Sequence, residues 1–322
     1  MSQDIASLRG MIEERLVETT KGQAPGTLYD PIVYTFSHGG KRMRPSLVLL
    51  AAKLFGGDVK DALGAAVSVE IFHNFTLLHD DIMDKAPLRR GQETVHVKWD
   101  DNTAILSGDT MMIMAYQQLL DTPERVLKTV LECFNQTAKE VCEGQQFDMD
   151  FETRDDVTVD EYLGMIKLKT SVLLAASLKV GALIGGASKA AAQRMYDFGL
   201  NIGIAFQLQD DLLDAFGDSA EVGKQSGGDI IANKKTYLLL TALEQAGESK
   251  GQLEALLSET DYEMKVREVT NIFEDLGIDE TTQQEIDKYY RKGLDSIDGL
   301  KMDEHWKGQL MELVTKLMGR RS

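Results

Sequence analysis

Apolar positions along the chain recur mostly three and four apart, the spacing of one helix face, and period-two alternation is nearly absent. Thr94 to Trp99 alternates, but a single six-residue run makes no sheet. The pattern predicts helix starts at Thr122 with Pro123 behind it, and at Thr158, where Glu161 completes a capping box. Gly56-Gly57, Gly185-Gly186, Gly217 and Gly227-Gly228 predict stops or bends. Two predicted helices, Leu63 to Asp84 and Met195 to Phe216, are apolar on nearly every face and belong in the interior of a large bundle. From Gly247 onward the helices become amphipathic, as outer helices are. No linker, low-complexity block or short repeat divides the chain, so one all-α domain over residues 1–322 is expected.

Composition agrees. Only 5 of the 322 residues are proline, which interrupts helix interiors. A formal charge of 35 − 52 = −17 argues against nucleic acid as a partner and suits a protein that recruits cations. Two cysteines, Cys133 and Cys142, form neither a disulfide framework nor a Cys-based zinc site, and a reducing, cytoplasmic location is expected. Met1 to Asp4 has no basic stretch followed by an apolar one. The longest apolar run, Ser171 to Ala187, carries Lys179 and falls short of a membrane span.

Both interior helices end alike, in Asp80-Asp81-Ile82-Met83-Asp84 and Asp210-Asp211-Leu212-Leu213-Asp214. Positions i and i+4 share a helix face, so Asp80 pairs with Asp84 and Asp210 with Asp214, while Asp81 and Asp211 sit at the edges. With 29 aspartates in the chain, one such match is expected about 0.2 times by chance, so two are a strong signal. A solvated acidic helix end would explain a lone copy, but these clusters stand among Phe75, Leu77, Leu78, Phe206 and Leu208. Carboxylates crowded beside a core repel unless cations neutralise them, and oxygen-only ligands select hard ions such as Mg2+. Magnesium held by one or two carboxylates leaves positions for substrate phosphate oxygens. The two clusters therefore suggest a metal cage for a polyphosphate.

Positive charge is concentrated near these clusters. Gly39-Gly40-Lys41-Arg42-Met43-Arg44-Pro45 puts three cations in four residues, Arg89-Arg90-Gly91 follows the first cluster, Lys169-Thr170 lies in a predicted helix, and Gly223-Lys224 and Asn233-Lys234-Lys235-Thr236 follow the second. Any one of these would ordinarily be a surface salt bridge; together they can hold phosphates directly. His73 reads equally as a core histidine or a ligand, His79 as a supporting partner beside Asp80, and Gln207 as a donor near the face of Asp210.

Taken in order, GGKRMRP at 39–45, DDIMD at 80–84, RRG at 89–91, KT at 169–170, FQLQDDLLD at 206–214 and GK…NKKT at 223–236 resemble the trans-isoprenyl diphosphate synthases, of the short-chain geranylgeranyl and farnesyl type. The similarity covers roughly Tyr34 to Thr241. It implies the isoprenoid synthase fold, an all-α bundle around a central cavity, usually a homodimer. It implies that Asp80, Asp84 and Asp210 ligate Mg2+, three ions per active site, with Asp81, Asp211 and Asp214 supporting. Lys41, Arg44, His73 and Arg90 would then bind isopentenyl diphosphate, and Arg89, Lys169, Thr170, Gln207, Lys224 and Lys234 the allylic diphosphate. Gln92, Gln225 and Asn233 depart from residues frequent in the family. The chemistry implied is loss of the allylic diphosphate, attack on the allylic cation by the double bond of isopentenyl diphosphate, and proton loss with the departing diphosphate as base.

Two rival readings fit less well. A terpene cyclase has little use for a second aspartate-rich motif or for GGKRMRP, and a non-catalytic subunit would be expected to have eroded motifs, whereas all six aspartates stand. The growing chain would run along the helix that carries Asp80, so Phe72, Phe75 and Thr76, one and two turns earlier, would form its floor. Helical angles favour Thr76 and Phe72; an aromatic five residues before the motif, which shortens products in such synthases, favours Phe75. A C20 product is expected, with C15 close behind.

Overall fold

The computed structural model describes residues 4–217 and 227–318. It is helical almost throughout, as the periodicity predicts, and divides into two compact units. The first comprises Met1–Asn135, Ala176–Met195 and Leu300–Leu310; the second comprises Gln136–Ala175, Tyr196–Gly299 and Met311–Ser322.

In the first unit the central element is α4 (Val59–Met83), which packs against α3 (Met43–Leu54) and α6 (Asp101–Leu119). The Asp58 carboxylate caps the start of α4 by accepting from the Lys60 N–H at 3.0 Å, and buried Ala, Val and Ile side chains occupy most of its faces. Phe72 is fully buried, a contribution of about 1.5–3 kcal/mol from apolar burial alone. α6 can approach α4 because position 108 is glycine: a Cβ there would lie 2.2 Å from His79 Nε2. α1 (Ile5–Thr20) and α2 (Gly26–Ser37) complete this side. After α4 the chain makes a two-residue hairpin, β1 (Leu88–Arg89) against β2 (Gln92–Glu93), and the one-turn helix α5 (Val95–Lys98). The hairpin was not legible as a strand pair. It closes through Arg90 and Gly91, both at positive φ (54° and 75°), the conformation of a tight two-residue turn.

The long helix α7 (Glu124–Thr153) follows the predicted Thr122-Pro123 start. In the second unit, α8 (Val159–Ile166) begins at Thr158 with the expected capping box, Thr158 and Glu161 each bonding the other's backbone N–H. It runs into a π-helical turn, Lys167–Ser171, and then α9 (Val172–Ile184) and α10 (Lys189–Phe216), each of which has residues in both units. Past the second acidic cluster come the one-turn helix α11 (Gly228–Ile231), α12 (Tyr237–Gln245), α13 (Lys250–Leu257), α14 (Tyr262–Asp275), α15 (Ile278–Ile297) and α16 (Glu304–Met318). The predicted stops hold at Gly56, Gly185 and Gly217. Gly227, by contrast, starts a helix: at φ +84° it precedes α11. Among the described residues no helix is long and apolar enough to cross a membrane.

Candidate active site

In the first unit, α4 ends at Met83, and Asp84 closes it with its N–H on the Asp80 carbonyl at 2.9 Å. The three aspartates do not share one environment. Asp80 is partly exposed and Asp84 exposed, whereas Asp81 is buried instead of lying at the helix edge. The Arg89 Nε donates to both oxygens of Asp81, at 2.7 and 2.9 Å, and its Nη2 lies 2.7 Å from Asp81 Oδ1 and 3.6 Å from Asp80 Oδ2. Burial pushes the Asp81 carboxyl up from the usual range, against the pull of Arg89. The hairpin thus exists to return Arg89 to the acidic cluster.

The same turn aims Arg90 the other way. Its Nη1 donates to the Gly39 carbonyl, so the RRG and GGKRMRP motifs meet. Within GGKRMRP the three cations differ. Lys41 is exposed; Arg44 Nη1 lies 3.2 Å from His73 Nε2; Arg42 is committed inward, to Glu13 and Glu70 at 2.7 Å each and to the Phe36 carbonyl at 2.8 Å. Burial, then the charges of Arg44, Arg90, Arg89 and Arg42, holds His73 well below the usual histidine range, so it is a neutral acceptor for Arg44. Arg44 Nε is buried with no hydrogen-bond partner among the described residues, a donor available to an anion. A pocket beside this loop is lined by Thr35, His38, Asn74, Asp81, Arg89 and Arg90, with Leu77, Leu78 and Val95 behind. Sequence reasoning missed His38, whose Nε2 is also buried without a partner among the described residues. His79, read as a partner of Asp80, turns instead to the Ile105 carbonyl (3.2 Å) and stacks edge-on with Phe75.

The second unit repeats the division of labour. Asp210 is partly exposed and Asp211 buried. Asp211 accepts from the Tyr162 hydroxyl and, at 3.0 Å, from Gln207 Nε2, which in turn accepts through Oε1 from Thr170 Oγ1 at 3.3 Å. Burial pushes the Asp211 carboxyl up to about 7, while the Tyr162 and Gln207 donors pull it down. Asp214 Oδ2 accepts from the Asp229 N–H at 2.8 Å, which ties the acidic cluster to α11. Lys169 and Thr170 stand in the π-turn, where the altered winding presents them differently from an α-helix. Gly144 permits this turn to seat on α7, since a Cβ there would lie 2.3 Å from the Lys169 N. Lys169 Nζ is ion-paired with Asp148, a partner the sequence did not flag. Lys234 follows Asn233 in the turn after α11, and Lys224 lies outside the described residues.

The floor residues form part of a larger ring cluster. Phe72 packs on Phe75 at 5.7 Å and on Phe134 at 5.3 Å between centroids, and Tyr116 packs on Phe134 at 5.3 Å. Thr76 turns its hydroxyl to the His73 carbonyl at 2.8 Å.

Among the described residues no three His, Cys, Asp or Glu side chains converge as a ready-made metal site. The donor set still fits a hard ion of the magnesium type, which takes one or two carboxylates and completes its octahedron with water or phosphate oxygens. In the first unit Asp80 and Asp84 retain exposure while Asp81 is occupied internally; in the second Asp210 retains exposure while Asp211 is occupied.

Comparison with known proteins agrees with the motif order. The polyprenyl synthetase family model matches residues 25–276. The chain is 46% identical to the geranylgeranyl diphosphate synthase of Methanosarcina mazei over 76% of each chain, and 38% identical to the geranylfarnesyl diphosphate synthase of Natronomonas pharaonis over 99% of this chain and 97% of that one. A crystal structure of a geranylgeranyl pyrophosphate synthase, 47% identical, superposes with a TM-score of 0.94 over 100% of both chains. With its two acidic clusters, its cationic motifs and its all-α isoprenoid synthase fold, the chain belongs to the polyprenyl synthetase family, whose reaction is prenyl transfer.

Proposed function

We propose that this trans-prenyltransferase condenses isopentenyl diphosphate with a dimethylallyl, geranyl or farnesyl diphosphate and releases a C20 product, with C15 as the alternative. The observation that carries this reading lies within the first unit. A carboxylate cluster and a separate cationic site are joined through the Arg89-Arg90 turn, one arginine serving each. An enzyme that only ionises one diphosphate has no need of the second site. The names of the similar synthases favour geranylgeranyl diphosphate.

Asp80, Asp84 and Asp210 would hold Mg2+, three ions per active site, and the metal would supply charge neutralisation for a departing diphosphate. Arg89 aligns Asp81 and opposes its protonation, and Tyr162 with Gln207 does the same for Asp211. Lys41, Arg44 and Arg90 bind isopentenyl diphosphate, with neutral His73 orienting Arg44. Lys169, Thr170, Gln207, Lys224 and Lys234 serve the allylic diphosphate, with Asp214 fixing the turn that carries Lys234.

The two sites separate kinetically. Lys41→Ala and Arg44→Ala raise KM for isopentenyl diphosphate about tenfold or more, while Lys169→Ala and Lys224→Ala act mainly on the allylic substrate. The reverse pattern in steady-state constants would overturn the assignment.

Tyr162 gives a second test. Its hydroxyl favours the charged form of Asp211, so Tyr162→Phe lifts that carboxyl further above its value of about 7. Activity at pH 7 falls roughly tenfold and recovers at alkaline pH, because the acid limb of the kcat/KM profile moves up. An unmoved acid limb would show that Tyr162 does not govern Asp211.

The two units act as one catalytic domain, a reading supported by four division points that fall inside α7, α9, α10 and α16. A homodimer is supported by Leu106 (58% exposed), Ile113 (61%) and Leu120 (66%), spaced seven apart along α6 and its C-cap and suited to burial against a second copy. Two free cysteines fit a cytoplasmic location.

A further inference from the structure

Lys265 on α14 is only 2% exposed, yet it meets no carboxylate within bonding distance among its contacts. Its ammonium has three N–H donors and finds three neutral oxygens: Asn233 Oδ1 at 2.7 Å, the Leu257 carbonyl at 3.1 Å and the Ile231 carbonyl at 3.3 Å. Burial lowers its basicity, opposed by the more distant Glu259. A buried cation satisfied only by dipoles is a poor way to gain stability, since an apolar side chain of similar length fills the same space without desolvating a charge. What the arrangement does supply is position, because three directed bonds fix one backbone geometry.

The backbone it fixes is the short span from Gly227 to Lys234. Asn233 stands at φ +53°, a conformation open chiefly to glycine and asparagine, and its Nδ2 donates to the Leu257 carbonyl at 3.0 Å. One amide therefore bonds both Lys265 and α13. At the other end of the segment, Gly227 donates to the Asp214 carbonyl at 2.7 Å and packs so closely on Val266 that a Cβ would lie 2.6 Å from it. Adjacent residues of α14 thus hold both ends of a short span, and Asp214 holds its start.

We infer that Lys265 is a positioning residue for diphosphate binding: with Asn233 it sets the short span from Gly227 to Lys234. This rests on the reading that Lys234 serves the allylic diphosphate. It also accounts for asparagine rather than glycine at this positive φ. Glycine would adopt the same backbone but leave Lys265 one acceptor short.

Steady-state kinetics of the full chain, with geranyl diphosphate and isopentenyl diphosphate varied separately, test this in Lys265→Met, Asn233→Gly and the double variant. KM for geranyl diphosphate rises about tenfold in each single variant, as expected for a binding group displaced by a fraction of an ångström. KM for isopentenyl diphosphate stays within about twofold, and the double variant is no worse than the poorer single one, because the two residues act as a unit. Thermal melts establish that each variant folds. If Lys265→Met does not fold, Asn233→Gly, which retains the backbone conformation, decides alone. A folded Asn233→Gly with unchanged geranyl diphosphate KM, or equal losses for both substrates, would overturn the inference. A wild-type chain unable to condense the two substrates would instead overturn the proposed function, and the inference with it.

Discussion

Asp80→Ala and Asp210→Ala each lower kcat/KM by at least about a hundredfold, because on the proposed mechanism each removes a charged oxygen ligand of Mg2+. The structure sharpens this expectation. Within each cluster the inner aspartate is already engaged, Asp81 by Arg89 and Asp211 by Tyr162 and Gln207, so it cannot swing out to replace a missing outer carboxylate without breaking those bonds. Raising Mg2+ recovers little, since the lost ligand also set where the substrate phosphate sat. The inner positions fail differently. Asp81→Ala leaves the Arg89 guanidinium without its buried partner and costs stability as well as turnover. If both outer variants kept near-wild-type turnover at saturating Mg2+, the metal-cage mechanism would be wrong.

Product length changes next most. Phe75 is only half-buried and sits between Phe72 and His79, so Phe75→Ala opens the side of the ring cluster and lengthens products by one five-carbon unit or more. Phe72 is backed by Phe134, itself stacked on Tyr116, so the ring cluster reaches deeper than the floor of Phe72, Phe75 and Thr76 expected from the sequence. Phe72→Ala with Phe75→Ala therefore lengthens products further than the single change. Truncating a buried phenylalanine costs about 3–5 kcal/mol, so melting temperatures must accompany the product analysis. An unchanged product in the folded double variant would remove these side chains from length control.

What the sequence made legible was local. The capping box at Thr158, the glycine stops and the two aspartate runs depend on residues within one helical turn of each other, where spacing decides geometry. What it hid lies far apart in the chain. Tyr162 and Asp211 are 49 residues apart, Lys265 and Asn233 32, and Phe72 and Phe134 meet only through packing of separate helices. Arg42 shows the same limit within a motif. Among three adjacent cations, nothing local reveals that one is spent on Glu13 and Glu70. The Arg90-Gly91 turn was the nearest miss. Gly91 stood outside the predicted glycine bends, and only the structure shows a turn there that sends Arg89 to the carboxylates and Arg90 to the glycine loop.

The central claim is tested most directly by incubating the full chain with Mg2+, isopentenyl diphosphate and, in turn, dimethylallyl, geranyl and farnesyl diphosphate, then resolving the products by chain length. The account predicts incorporation of isopentenyl diphosphate with every primer it accepts and accumulation of a C20 diphosphate, C15 being the only other outcome it accommodates. Release of diphosphate with a hydrocarbon product and no isopentenyl diphosphate consumed, or chains of C30 and longer, would contradict it.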